Sequence, residues 1–275
     1  MIKYIIHISD VHIRSFQRHE EYREVLTNFL NDIKIFVEEH PNEVILLNSG
    51  DVFDNKLAIT NESQIFLAWF FQELDKLCPN FYVLGNHDFI QSNTQRVNSI
   101  EPIFEIGNFK QTYFLDKILE YQSGQLVYNN IVFYLYSIMD NYDEPDVQIG
   151  VEENPDKIHI GLIHAPIVGS KTDIGFFIDR GVDPNIFPKE LNYVLAGDIH
   201  KFQKLRNKNN VQILYPGSLL QINFGENVSG HGYSIITLPD FTIEHREVEN
   251  PYVMYKFEIN DVNDIENNME ILKNK

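Results

Sequence analysis

An apolar run, Phe81 to Leu84, ends on Gly85 and then on three polar side chains, Asn86, His87 and Asp88. An amide oxygen can serve a metal ion, an imidazole can move a proton, and a carboxylate can hold that imidazole in one tautomer. The arrangement recurs. Ile2 to Ile8 leads to Ser9-Asp10-Val11-His12, and Val44 to Leu47 leads to Asn48-Ser49-Gly50-Asp51-Val52-Phe53-Asp54. Ile158 to Ile163 leads to His164, and Tyr193 to Ala196 leads to Gly197-Asp198-Ile199-His200.

Collected, Asp10, His12, Asp51, Asn86, His164, Asp198 and His200 are seven oxygen or imidazole donors. One divalent ion of the manganese or magnesium type takes about six donors, so seven protein ligands, one of them shared, suit two ions with water completing the shells. In an extended segment residues i and i+2 point the same way, which lets each Asp-x-His pair bite one ion or flank two. Asp51, in the middle of the set, is the expected bridge. Two ions about 3.5–4 Å apart clamp a phosphoryl group for in-line attack. His87, steadied by Asp88, is then free for proton transfer to the leaving oxygen or for charge stabilisation. His7, His159 and His231 have no partner in this pattern and read as packing or turn residues.

The donors need a scaffold that brings strand ends together. His19 to Glu39 carries apolar residues at helical spacing (Tyr22, Val25, Leu26, Phe29, Leu30, Ile33, Phe36, Val37), and His40-Pro41-Asn42 stops it. A second helix is expected from about Asn61 to Leu77, capped by Thr60 or Asn61, with Gln64 in capping-box position to Asn61. Strand, helix, strand, helix, strand with short apolar strands predicts an α/β chain whose sheet is covered on both faces. Ligands bind just past the carboxyl ends of such strands. Further on, a helix is expected within Gln95 to Ile106. Strands are expected at Tyr113–Leu115, Leu119–Tyr121, Ile131–Tyr136, Val211–Tyr215, Tyr233–Leu238 and Tyr252–Ile259. A loop with short helical turns is expected over 167–190 and a polar helix over Asp261–Leu272.

Length and composition allow one large domain or one domain plus an appendage; the division expected is 1–249 and a C-terminal extension, 250–275. Forty-three per cent of the 275 residues are hydrophobic, enough for a substantial core. No apolar run is long enough to span a bilayer, and the chain opens on a strand-like segment rather than a leader. Cys78 is the only cysteine, which excludes an internal disulfide and a thiolate zinc cluster; an intracellular setting is expected. The formal net charge of −18 argues against tight nucleic-acid binding by the chain alone, although divalent ions neutralise the carboxylates that bind them. Part of the acidity is local: Asp140, Asp143, Glu144, Asp146, Glu152, Glu153 and Asp156 share one stretch without Lys or Arg, which reads as a solvated loop.

The five blocks resemble the signature of the calcineurin-like metallophosphoesterases, over most of residues 1 to 238. His7-Ile8-Ser9-Asp10-Val11-His12, Asn48 to Asp54, Gly197-Asp198-Ile199-His200-Lys201, Tyr215-Pro216-Gly217-Ser218 and Asn223-Phe224-Gly225-Glu226 are similar to the SbcD-type DNA double-strand-break repair nucleases, including bacteriophage recombination endonuclease subunits. The resemblance implies a two-sheet β-sandwich flanked by helices, a four-layer α+β arrangement. It assigns Asp10, His12, Asp51 and His200 to one ion and Asp51, Asn86, His164 and Asp198 to the other, with His87 as the catalytic histidine that is not a ligand. It implies manganese, with magnesium as the alternative, and exonuclease action on duplex ends with endonuclease action on single strands. It also implies a homodimer within a heterotetramer that includes an SbcC-type coiled-coil ATPase.

Three departures stand out. Asp198 occupies a position where the family usually has histidine, which adds a negative charge to the ligand set. Ile13-Arg14 replaces a frequent Leu-Gly, which makes Arg14 and Arg18 candidates for contact with a DNA phosphate. Residues 250–275 are too few for the family's DNA-capping domain and ATPase-binding segment together: either they are the start of a capping domain cut short, or a partner supplies those roles. The competing functions are a small-molecule phosphodiesterase or phosphatase with the same dinuclear centre, a DNA-end tethering module, and a non-catalytic scaffold. The scaffold is disfavoured because no ligand is missing. A protein phosphatase is disfavoured because Gly50-Asp51-Val52-Phe53-Asp54 lacks the Asp-Arg-Gly continuation of those enzymes.

Overall fold

The computed structural model describes residues 1–15, 17–90, 92–93, 95–140 and 156–273. Most of the acidic stretch, Asp143 to Glu153, therefore lies outside the described residues.

Two six-stranded sheets make up the framework. In the first, β1 (Tyr4–Ile8), β2 (Val44–Asn48), β3 (Asn80–Tyr82) and β4 (Thr112–Phe114) run parallel. β11 (Gly232–Thr237) and β12 (Thr242–Glu247) complete it antiparallel, beyond β1. In the second, β6 (Ile131–Tyr136), β7 (Ile158–His164), β8 (Tyr193–Gly197) and β10 (Gln212–Tyr215) are parallel. β5 (Gly124–Tyr128) and β9 (Gln203–Arg206) are its antiparallel edges.

Side-chain alternation along each strand decides the layers. Ile5, Ile45, Leu47 and Phe81 point from the first sheet toward Phe133, Leu135, Ile160, Leu162 and Leu195 of the second, in a buried inter-sheet core. The opposite face of the first sheet, with Ile6, Ile8, Val44 and Leu46, packs on α1 (His19–Glu39) and α2 (Asn61–Leu77). α1 buries Tyr22, Val25, Leu26, Phe29, Leu30, Ile33 and Phe36, the stripe its spacing predicts. The outer face of the second sheet is covered by Ala165, Ile167, Val182, Phe187 and Leu191 of the long connection before β8. The result is the expected sandwich of two sheets flanked by helices, with this irregular connection in place of a helix on the outer side of the second sheet.

Several local expectations are corrected. The cap of α2 is Thr60, and Ser63, not Gln64, closes the reciprocal capping box. Only Glu101–Ile106 (α3) of the Gln95–Ile106 segment is helical. Leu119–Tyr121 is not a strand: a short helix, α4 (Leu115–Ile118), ends there, and Glu120 and Tyr121 turn at positive φ. Tyr252–Ile259 forms no strand, because the sheet already ends on β12. β5, β9 and β12 carry alternating exposed residues and hence too little apolar signal to be read from sequence. The last helix, α5, spans Val262–Lys273. Among the described residues no helix is long and apolar enough to cross a membrane.

Candidate metal centre

All seven expected donors lie at the carboxyl ends of parallel strands. Asp10 and His12 follow β1, Asp51 follows β2, Asn86 follows β3, His164 ends β7, and Asp198 and His200 follow β8. The β1 and β2 extensions run paired past the sheet: Ser49 N–H donates to Ile8 O (2.9 Å), Asp10 N–H to Gly50 O (3.0 Å) and Ile13 N–H to Val52 O (2.7 Å).

The Asp-x-His pairs are not extended, as the alternation argument had it. Asp10 (φ 53°), His12 (φ 49°), Asp51 (φ 54°) and Asp198 (φ 91°) all adopt positive φ. Such conformations cost roughly 1–3 kcal/mol each and persist where surrounding structure over-determines them. Tight turns, rather than strand pleat, aim both members of each pair inward. Gly85 permits the close approach of the β3 loop, since a Cβ there would collide with the Asp51 carboxylate.

The ligand atoms form two adjoining sets. Asp10, His12 and His200 offer atoms within 4.8 Å of one another, as do Asp10, Asp51 and His164. His12 Nε2 is 3.7 Å from Asp10 Oδ1 and 3.7 Å from Asp51 Oδ2, and His200 Nε2 is 3.7 Å from Asp10 Oδ1. On the other side, His164 Nε2 lies 3.3 Å from Asp51 Oδ2 and 3.8 Å from Asp198 Oδ1. Asp10 belongs to both sets, Asp51 reaches His12 on one side and His164 on the other, and His12, Asp51 and His87 make a third such group.

The imidazoles are oriented from behind. His164 Nδ1–H donates to Ser49 O (2.6 Å) and His200 Nδ1–H to the Glu226 carboxylate (2.8 Å). Each Nε2 therefore presents a lone pair to the centre. His12 Nδ1 has Asp54 Oδ1 nearby at 4.0 Å. Glu226, Asp54 and the Ser49 carbonyl were not singled out by the chemistry of the sequence. Glu226 stands in a family-like block, but its role needs a partner 26 residues away, and a backbone carbonyl has no side-chain signal at all.

The donors fit divalent ions. Asn86 Oδ1 stands 3.0 Å from His164 Nε2, and the same amide position is 3.3 Å from Asp51 Oδ2 and 3.1 Å from Asp198 Oδ1. With the oxygen inward, Asn86, Asp51 and Asp198 oxygens converge on His164 Nε2 and need a proton or a cation among them; with the amide turned, its nitrogen donates to all three. A cation satisfies the first arrangement. His12 Nε2 and His200 Nε2 face each other at 3.1 Å in the same way on the first side.

Electrostatics report the same crowding. Burial opposes ionisation of Asp51, yet the neighbouring His164 and His12 hold its carboxyl well below the usual range. Burial pushes Asp198 up to about 6, against the pull of His164. Burial would lower His200, but the Glu226 hydrogen bond and the Asp10 charge carry it up to about 9. Burial likewise opposes charging of His164, and Asp51, Asp10 and Asp198 together raise it well above its ordinary value. The imidazoles thus hold protons where cations belong.

His87 sits beside the centre, its ring 5.0 Å from that of His12, edge to face. Asp88 does not hold that ring. The His87 backbone N–H donates to Asp51 Oδ1 (2.8 Å), and the ring Nδ1–H donates to Asp54 O (2.6 Å), which leaves Nε2 as the free ring nitrogen. The Asp88 carboxylate is buried and accepts from the backbone N–H groups of Asp51, Val52, Phe53 and Gly85 and from the Tyr82 hydroxyl. Its work is to fold the Asp51 turn. Arg14 and Arg18 are also corrected: Arg14 donates to the Ile222 carbonyl, and Arg18 to Glu21 and to the Tyr252 carbonyl (2.8 Å). These bonds tie the segment before α1 to distant loops, while Arg14 Nε has no partner among the described residues.

This geometry and three comparisons agree on the class. The family model for the calcineurin-like phosphoesterases matches residues 3–202, and the chain belongs to that family. It is 34% identical over 257 residues to an uncharacterized protein of Acanthamoeba polyphaga mimivirus, a match that covers 91% of this chain and 18% of that one. The chain thus spans under a fifth of that relative's length. It is 25% identical over 290 residues to the DNA double-strand break repair protein Mre11 of Methanococcus maripaludis, covering 98% of this chain and 73% of the other. Among solved structures it is similar to a dimetal phosphatase from Danio rerio (TM-score 0.54, 11% identity, 86% of this chain and 93% of that one), a likeness of fold. The chain has the calcineurin-like phosphoesterase fold, which implies two divalent ions.

Proposed function

We propose that this metallophosphoesterase is a DNA nuclease that hydrolyses phosphodiester bonds with two manganese ions. The observation that carries the reading is the double donor set, which Asp51 reaches on both sides, taken with similarity along almost the whole chain to a protein named for DNA double-strand break repair. The first ion would be held by Asp10, His12, Asp51 and His200, the second by Asp51, Asn86, His164 and Asp198. Bound there, two divalent ions supply Lewis acidity and an activated water for in-line displacement. Asp51 keeps the two sets in one register. His87 Nε2, its tautomer set by the Asp54 carbonyl, serves the proton that the departing oxygen needs. Glu226 and the Ser49 carbonyl keep His200 and His164 aimed inward.

The net charge of −18 opposes tight binding of duplex DNA by the chain alone. That favours a partner that holds the DNA, and we extend the proposal to an SbcC-type ATPase in an intracellular complex built on a dimer of this chain. The same charge supports the second reading, a hydrolase of small phosphodiesters. A single assay in manganese separates them: linear duplex DNA, a single-stranded circle and bis-p-nitrophenyl phosphate, side by side. DNA cleavage that disappears in His87→Ala supports the nuclease. Cleavage of the small diester without DNA cleavage, even after an SbcC-type ATPase is added, would overturn it. His87→Ala should still bind manganese by calorimetry while kcat falls roughly 10²–10⁴-fold.

A further inference from the structure

A cavity of about 490 Å³ adjoins the metal centre. Its lining runs from Asp198, His200 and Glu226 to Ile174 and Phe176, and includes Lys201. Ile174 is 77% exposed and Phe176 61%, and Phe224, between two lining residues, is 60% exposed. Large apolar side chains standing in water beside an acidic centre are not core residues, and the backbone turn that carries them is hydrogen-bonded. Thr172 N–H donates to Phe176 O (3.0 Å), Gly175 N–H to Thr172 O (3.0 Å) and Phe176 N–H to Thr172 Oγ1 (3.2 Å). Gly175, at φ 81°, makes the turn. Asn227 Nδ2 donates to Asp173 Oδ1 (3.2 Å), which ties this turn to the loop that carries Glu226.

We propose that Ile174 and Phe176 form a stacking shelf for the nucleobase next to the scissile phosphate, an inference that rests on the nuclease reading. A phosphodiester at the metal centre has two ester substituents, and one of them can extend into this adjoining cavity, whose volume suits a nucleoside. A bare sugar would call for hydrogen-bonding walls; a planar base calls for an apolar face. Base–aromatic stacking holds single strands without sequence preference. It also needs few cations, which reconciles a nucleic-acid substrate with an acidic chain, because the grip then falls on bases rather than on phosphates.

The test compares the chain in manganese on two single-stranded oligonucleotides of equal length, one of thymidine throughout and one with tetrahydrofuran abasic residues at its centre. The wild-type chain should cleave the thymidine strand with a kcat/KM roughly fivefold to a hundredfold higher. In Phe176→Ala that ratio should fall toward one, and Phe176→Tyr should restore it. Manganese titration by calorimetry serves as the check that the centre is intact. Equal cleavage of both strands by the wild type, or an unchanged ratio in Phe176→Ala, overturns the shelf while leaving the nuclease standing. Cleavage of bis-p-nitrophenyl phosphate with neither strand cut, also after an SbcC-type ATPase is added, overturns the nuclease reading and the shelf with it.

Discussion

The residue that most changes the picture of the centre is Glu226. Its carboxylate accepts from His200 Nδ1 at 2.8 Å and from the Ile222 N–H at 2.7 Å, so it both aims the imidazole and raises its basicity. Outer partners of metal-binding histidines typically contribute 10–100-fold in metal affinity. Glu226→Gln should therefore weaken manganese binding by about that factor at the site of Asp10, His12 and His200 and leave the other site unchanged. Calorimetric titration resolves the two sites; equal loss at both would show that Glu226 supports the fold of the centre instead. Because His200 stands at about 9 and His164 is raised as well, ion binding must displace protons. Affinity is expected to rise with pH from 6 to 8, and an affinity independent of pH would contradict these proton-bearing imidazoles.

At the scale of elements, the strand-end turns matter more than the strands. Asp88 lies in the turn after β3, yet its carboxylate gathers N–H groups from both the β2 and β3 turns, together with the Tyr82 hydroxyl. Burial, followed by repulsion from Asp51, raises its carboxyl to about 6, a strain these donors only partly relieve. Removing the side chain leaves several buried donors without an acceptor, each costing about 1–3 kcal/mol. Asp88→Ala should lower unfolding stability by at least about 3 kcal/mol and reduce manganese occupancy through Asp51. Asp88→Asn, which keeps an acceptor oxygen, should be milder in denaturant unfolding. A variant with wild-type stability and two full manganese sites would exclude this role.

For the whole molecule, the two sheets meet near the centre through one more buried carboxylate. Asp116 accepts from Leu84 N–H (2.7 Å), just before the Asn86 turn, and from the Ser137 hydroxyl (3.3 Å), just after β6. Burial raises its carboxyl from the ordinary 3.8 to about 6. The folded state therefore holds this proton more tightly than the unfolded chain does. The contribution to stability is complete below about pH 4, declines between about 4 and 6, and is gone above 6, a difference of about 1–3 kcal/mol. Asp116→Asn keeps an acceptor for Leu84 and cannot ionise. Compared with wild type in urea at pH 4.5 and 7.5, it should lose less stability at the higher pH; parallel losses in both proteins would show that Asp116 does not titrate in this window.

Strand ends bearing Asp, His and Asn were legible from sequence because a buried strand has few reasons to end repeatedly in such groups. The helices α1 and α2 were legible because apolar spacing is a local property. The edge strands β5, β9 and β12 were not, since half-exposed strands owe their place to a neighbour already in the sheet. The partnership expected between His87 and Asp88 failed for a related reason: adjacency in sequence does not make two side chains face each other. Tertiary structure alone turned Asp88 back to the Asp51 turn and gave His87 the Asp54 carbonyl. It likewise brought Glu226 behind His200, and Phe176 into the cavity shared with Asp198. Residue types and spacing determine which chemistry the chain can perform. Which oxygen meets which ring is decided by contacts between segments far apart in the chain, and those exist only once the two sheets have packed.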